Sequence, residues 1–294
     1  MTEPPKTVRA SYRGTWRRTV HDFVFSFKGL FGIVIIALFV ILPYLRPYLT
    51  RYPPLKYGVG IRDQAPTAAH VMGTTNLGQD VFSQWLVGGI VSVEVGVLTG
   101  LFTTILVILI GIPAGYYRRS FGQVLILLTD VFLVIPVLPL IILLAVYLGP
   151  SLYNQILILT LLSWPFAARI VAAQVLSLRE RVFVESGVAA GSSDARIMFG
   201  EILPNLWPLI LSNGVLIIVF AILFQAAIAF LGLGNEQLVS WGNMLFNAES
   251  VGAVSSGEWW WVVPPGFGIT ALALAFSLAV LQIDKVFTER SKAI

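Results

Sequence analysis

The residues whose types and spacing could support a mechanism lie in Val184-Glu185-Ser186-Gly187-Val188-Ala189-Ala190-Gly191-Ser192-Ser193-Asp194, a stretch that closes at Ile202-Leu203-Pro204. This is a polar, helix-compatible segment set between apolar runs. Val184, Val188, Ala195, Phe199 and Ile202 recur at a largely helical spacing, with Glu185, Ser186, Ser192, Asp194 and Glu201 on other faces. Gly191 suits a left-handed turn that a residue with a Cβ resists. Ser192 or Ser193 then caps a second helix, and the carboxylate of Asp194 in its first turn is favoured by the helix dipole. Pro204 suits the start of the next span or a kink at its entrance. The spacing predicts a short helix, a sharp turn, a second short helix and then a membrane span. The residues alone leave two readings open: an amphipathic hairpin lying on the membrane, or a surface offered to a soluble partner.

Other chemistries are poorly served. The chain has no cysteine, which excludes thiolate metal sites and cysteine nucleophiles. It has no Gly-Lys pair and hence no phosphate-cradling loop of the usual kind. His21 and His70 are its only histidines. The topology derived below puts them on opposite sides of the membrane, so no shared metal site is expected, and His70 reads as part of an outer-loop fold. Charges inside apolar runs are few, mainly Glu94, Asp130 and Arg169. Such charges are functional candidates by default. Asp130 pairing with Arg169, or with Arg118 and Arg119, is one arrangement they allow.

The elements that must position these residues are membrane spans. Of the 294 residues, 57% are hydrophobic and 12% charged, against about 25% charged in an ordinary soluble domain. A bilayer core needs roughly 20 apolar helical residues. Six runs qualify, near Leu30–Leu49, Gly89–Tyr116, Gln123–Leu148, Leu152–Val175, Leu206–Leu231 and Trp261–Val286. The first run is too long and too far from the start to read as a cleaved signal peptide. Pro136 and Pro139 would bend the third span, either for packing or to face a water-filled path. Gly88, Gly89, Gly96 and Gly100 read as close helix approach.

Basic residues orient the chain. With the N-terminus inside, Lys6, Arg9, Arg13, Arg17, Arg18, Lys28, Arg118, Arg119, Arg179, Arg181, Arg196, Lys285, Arg290 and Lys292 lie on the cytoplasmic side. Only Arg46, Arg51, Lys56 and Arg62 lie outside. Both termini are therefore expected in the cytoplasm, and the net charge of +4 is no nucleic-acid signal. The expected organisation is a basic arm over 1–28, a first span and long outer loop over 29–88, a core over 89–287 and a tail over 288–294. Trp259-Trp260-Trp261 reads as an interfacial belt or a ligand surface.

Five segments then carry a resemblance. Glu185, Gly191 and Ile202-Leu203-Pro204 resemble the coupling loop, at 182–204 here, of binding-protein-dependent ABC importer permeases. The usual Glu-Ala-Ala reads Glu185-Ser186-Gly187, and Gly187 lowers helix propensity by about 1 kcal/mol relative to Ala. His70 through Ser83, with Gln79 where Arg is common, is similar to the outer segment before span two in the dipeptide/oligopeptide/nickel branch. Gly111-Ile112-Pro113-Ala114-Gly115-Tyr116-Tyr117 is similar to the inner end of that span. Asp130 followed by Pro136 resembles span three. Phe230-Leu231-Gly232-Leu233-Gly234 with Ser240-Trp241-Gly242-Asn243-Met244-Leu245 resembles the second permease subunit of that branch. The run Phe276–Gln282 departs from the family pattern.

The resemblance implies an all-α membrane protein with six spans, the type I ABC importer permease fold and cytoplasmic coupling helices. It implies membrane lipid around the chain, a homologous second permease, two cytoplasmic ATPases and an extracytoplasmic solute-binding protein as partners. ATP and Mg would then belong to partner subunits, with no cofactor in this chain and no catalytic or metal site. The coupling set would be Glu185, Ser186, Gly187, Ala190, Gly191, Ser192, Asp194, Leu203 and Pro204. Asp130, Pro136, Arg169, Phe224 and Gln225 would form a gate or pore. Gly73, Asp80, Trp241 and Gly242 would serve docking on the outer loops. The expected cargo is peptide, with oligosaccharide or nickel as alternatives within the same machine. An ion-coupled secondary transporter is the alternative of another class, but no inverted repeat or midplane cluster of titratable residues is visible.

Overall fold

The computed structural model describes residues 26–117 and 120–291; side chains are described through Ile283, apart from that of Phe27. The basic arm over 1–25, Arg118 and Arg119, His21 and the last residues of the tail lie outside the described residues. The helices in chain order are α1 (Phe27–Leu49), α2 (Val81–Tyr116), α3 (Ser120–Val134), α4 (Val137–Leu148), α5 (Leu152–Arg179), α6 (Val182–Ala189), α7 (Asp194–Ile197), α8 (Leu203–Ile228), α9 (Trp241–Ser250) and α10 (Trp259–Ser291). Two π-helical turns, Met198–Ile202 and Ala229–Leu233, flank α8. Five described helices are long and apolar enough to cross a membrane, and α3 with α4 makes a sixth span when the bent pair is counted as one.

The break in that pair is sharper than a proline bend. α3 and α4 meet at 84°. Pro136 is the N-cap of α4 with extended backbone, φ −62° and ψ 106°. Proline lacks the N–H that would continue α3, and it pushes Ile135 out of helical backbone. Pro139 falls in the first turn of α4, where the N–H has no helical partner anyway.

Helix α2 is the central element. It begins at Val81 rather than Gly89, because Asp80 caps it, the carboxylate accepting from the Ser83 N–H at 2.8 Å. Its first two turns carry Ser83, Gln84 and Trp85 above the apolar run, so hydropathy marked only the lipid-level part. At 36 residues it is about 54 Å long, well beyond a bilayer core of about 30 Å. One face packs on α5, where Gly111 lets the backbone of Ala168 approach; an added Cβ would lie 2.9 Å from the Ala168 carbonyl oxygen. Gly115 sits against Ala172 in the same way. Another face packs on α8, with Gly96 and Gly100 against Ile222 and Ile218. Small residues are what allow such contact where lipid gives helices no hydrophobic reason to associate.

At the outer end, fully buried Trp241 fastens α9 to this frame. Its indole lies against Gly88 and Gly89 of α2 and Gly268 of α10, with Phe39 of α1 edge-on at 5.0 Å. Its Nε1 donates to the Trp85 carbonyl at 3.0 Å. Four helices therefore close on one ring. Trp241→Ala is expected to cost about 3–5 kcal/mol, read as a lowered midpoint of thermal unfolding in detergent. An unchanged midpoint would contradict this role.

Candidate functional site

The polar stretch after α5 folds as a hairpin. α6 ends in a Schellman turn: the Ser192 N–H bonds the Gly187 carbonyl, and the Gly191 N–H bonds that of Val188, both at 3.0 Å. Gly191 has φ +74°, the left-handed conformation this motif needs. Ser193 caps α7, accepting from the Arg196 N–H at 3.4 Å. From Asp194 the helix then runs without interruption through the π turn into α8. The second short helix is thus continuous with span five. Leu203 and Pro204 open α8 inside that continuous helix, and Pro204 makes no break.

One hydrogen bond pins the hairpin to α2, and a contact from α5 braces the residue that makes it. The Tyr116 hydroxyl donates to the Asp194 carboxylate at 2.9 Å. Arg179, the last residue of α5, stacks its guanidinium over the Tyr116 ring at 5.3 Å and donates to the Tyr116 carbonyl. Burial and the neighbouring Asp194 carboxylate push the Tyr117 phenol above its ordinary pKa. Underneath, Val184, Ile197, Met198 and Ile202 are buried in one core with Ile112, Tyr116, Val171 and Val175. Val188 and Phe199, expected on the same inner face, are instead 57% and 41% exposed. The π turn supplies the physical reason: its wider pitch rotates Phe199 away from the face that Ile202 keeps.

Glu185 is exposed, and its carboxylate meets no described partner, so it does not orient the hairpin from within. Ser186 spends its hydroxyl on the Val182 carbonyl at 2.8 Å, and Ala190 is exposed beside the turn. Gly187 keeps its helical place. An added Cβ there would meet both carboxylate oxygens of Glu201 at 2.9 Å. Its lower propensity is therefore matched by room for Glu201. The sequence put Glu201 among the polar residues of the stretch and Arg179 among the cytoplasmic charges, but gave neither of them, nor Tyr116, a role in holding the hairpin. Tyr116 stood in the quoted run at the end of span two, but its role depends on a contact 78 residues away. A groove of about 780 Å³ runs between Tyr116, Arg179, Val184, Glu185, Val188 and Asp194.

The membrane-level residues divide. A cavity of about 510 Å³ lies between α3, α4, α5 and α8, walled by Phe132, Phe166, Phe220 and Phe224, with Ser163 and Asn213 its polar groups. Pro136 stands at the break beside it. Gln225 lies elsewhere, buried at 1% exposure and accepting from the Ser92 hydroxyl at 3.0 Å. Trp164 is likewise buried, packed on Phe132. Arg169 and Asp130 form an ion pair. Arg169 lies ten residues before the end of α5 at Arg179, and Asp130 lies ten residues after the start of α3 at Ser120, one turn before the break that follows Val134. Glu94 is exposed on α2.

The outer residues expected to dock a partner are all buried. Asp80 caps α2 and holds His70 Nδ1 at 2.9 Å. Gly73, at φ +66°, lies where a Cβ would strike Trp260 and the Gln64 carbonyl. Trp241 fills the core described above, and Gly242 packs on Ala229. They build the outer layer without forming its surface. Of the tryptophan run, Trp259 is exposed, Trp260 donates to the Thr74 carbonyl, and Trp261 is buried.

A bundle of apolar helices around one long span, with a polar hairpin at one end, is the architecture of a multi-span membrane protein. Comparison with known proteins gives the family. Residues 107–292 match the model of the binding-protein-dependent transport system inner membrane component, and the chain belongs to that family. It is thus a multi-pass inner membrane permease of such a transport system. It is 32% identical over 276 residues to the dipeptide transport system permease protein DppC of Alkalihalophilus pseudofirmus, covering 94% of this chain and 90% of that protein. It is 36% identical over 262 residues to a Brucella suis protein named for a peptide transport system permease, covering 89% and 87%.

Two outcomes follow from this geometry. Tyr116→Phe removes the hydrogen bond to Asp194, worth about 1 kcal/mol; faster amide exchange across 182–197 with unchanged exchange in α2 is expected, and unchanged exchange in the hairpin would contradict the pin. On the opposite side, buried Glu258 precedes α10, and Oε2 lacks a described partner. Burial first, then the Asp63 carboxylate, raises its pKa above the ordinary 4.5. The folded state thus binds this proton more tightly than the unfolded state does. That contribution is complete below pH 4.5 and is lost as pH rises through the raised value. Glu258→Gln should therefore raise the unfolding midpoint at neutral pH and lose that advantage in acid. An equal effect at both would contradict the assignment.

Proposed function

We propose that this chain is one of two permease subunits of an ATP-driven importer for di- and oligopeptides. Both termini lie in the cytoplasm in this reading. The hairpin α6–α7 receives two cytoplasmic ATPases' motion through direct contact with one of them. ATP and Mg act on those subunits and not here. A solute-binding protein docks on the outer layer that Asp80, Gly73 and Trp241 shape, and releases cargo into a path between this chain and a homologous permease. The peptide assignment is supported by the names of the relatives and by the aromatic, largely apolar wall around Phe166, Phe220 and Phe224.

The observation that carries the reading is the hairpin's design. Its tip is exposed at Glu185, Val188 and Gly191, with Val182 77% exposed and Phe183 40%. Its base is bonded to α2 through Tyr116 and Asp194, packs in one core with Val171 and Val175 of α5, and is continuous with α8. Force applied at the tip is delivered to three spans at once. An interfacial helix needs no such rigid base.

A tagged pull-down from gently solubilised native membranes tests this. Wild type is expected to bring down a second permease and ATPase subunits. Glu185→Arg with Gly191→Trp is expected to lose the ATPases while keeping the second permease. Recovery of the wild-type chain alone or as a homomer would contradict the importer reading.

A further inference from the structure

The Asp130–Arg169 pair, which the resemblance places at a gate or pore, has a setting that gives it a more particular task. Helices rise about 1.5 Å per residue, so each side chain lies about 15 Å inside the hairpin end of its helix. Phe132 and Leu133, two and three residues beyond Asp130, line the apolar cavity. Pro165 and Phe166, four and three residues before Arg169, line it too. Neighbours at three and four residues share a helix face. The pair therefore stands one turn past the cavity, on the hairpin side, on two of the helices that wall it.

The cavity wall itself holds no charged side chain. The pair is the first charge met beyond it on α3 and α5. Its side chains are 48% and 45% exposed. An ion pair so open would be costly against lipid, and intramembrane charges characteristically face water or protein. Both partners also have unused capacity. A guanidinium carries five N–H donors, and a carboxylate accepts at about four sites. The one described side-chain partner of each is the other.

We propose that Asp130 and Arg169 form a charge-matched threshold that passes zwitterionic peptides of low net charge, the peptide carboxylate exchanging onto Arg169 and its ammonium onto Asp130. This rests on the peptide-importer reading. The exchange conserves charge: each ion of the pair finds an opposite charge as it gives up its partner. A peptide with a net charge leaves one ion facing a like charge, which is penalised. The apolar wall above accepts the side chains, and the pair below reads the ends.

The test uses the whole transporter in proteoliposomes, with saturating solute-binding protein so that its affinities drop out of the rates. The probes are alanyl-phenylalanyl-alanine, alanyl-phenylalanyl-lysine and alanyl-phenylalanyl-glutamate. Wild type is expected to turn over the first fastest. Arg169→Gln should shift the lysine-to-glutamate rate ratio toward lysine by about fivefold, the most that an exposed ion pair sustains. Asp130→Asn should shift it equally toward glutamate. The swap Asp130→Arg with Arg169→Asp should restore the wild-type order, which also shows that the helices still fold. Single variants that slow all three peptides alike would overturn the proposal and leave the peptide importer standing. Wild type that imports none of the three would overturn both.

Discussion

The close approach of α2 to α5 is the contact on which the rest depends. Gly111 and Gly115 on one helix meet the backbones of Ala168 and Ala172 on the other. In a bilayer there is no hydrophobic gain from bringing two apolar helices together, so contact at backbone distance and its dispersion energy must hold them. The seam also fixes register. It brings Tyr116, the last residue of α2, beside Arg179, the last of α5. Tyr116, braced by Arg179, then holds the hairpin through Asp194. Separate the seam by a methyl group at Gly115 and the anchor of the hairpin moves with it.

The same long helix organises the opposite end. Asp80 starts α2 above the lipid-level segment, and its carboxylate serves His70 and Ser83 together. Gly88 and Gly89 leave the space that Trp241 fills. The hairpin and the outer layer are thus two ends of one packed frame built on α2. The broken pair α3–α4 is differently held, with few buried side chains and a wide cavity against α5 and α8. The molecule therefore has a firm frame and a loosely packed flank. The proposed path runs along the flank, and the proposed input of force acts on the frame.

Much of this was legible from residue order. Six apolar runs gave the spans, because hydropathy over 20 residues reports lipid exposure directly. Gly191, Ser193 and Asp194 announced a turn and a helix start by local chemistry alone. What failed to show was either non-local or hidden by burial. The partnership of Tyr116 with Asp194 depends on packing between distant helices. Gly73, Asp80, Trp241 and Gly242 carried a motif that looked like a surface, but the motif holds the loops together. The helical continuity through Met198–Ile202 was not predictable from a proline at 204, which suits the first turn of a helix as well as a break. Gln225 looked like a polar group for a path, yet Ser92 satisfies it inside the bundle.

The central claim is that the hairpin and α8 move as one body. The chain has no cysteine, so paired spin labels can be placed on it at chosen sites before the transporter is assembled from cysteine-free partners. One label at Val188→Cys and another at Leu216→Cys on α8 would report the frame; Val188→Cys with Val131→Cys on α3 would report frame against flank. The account predicts that, between nucleotide-free and ATP-trapped states, the first distance stays constant and the second changes. A change in the first distance with the second held constant would contradict it, because the hairpin would then be hinging on its own base.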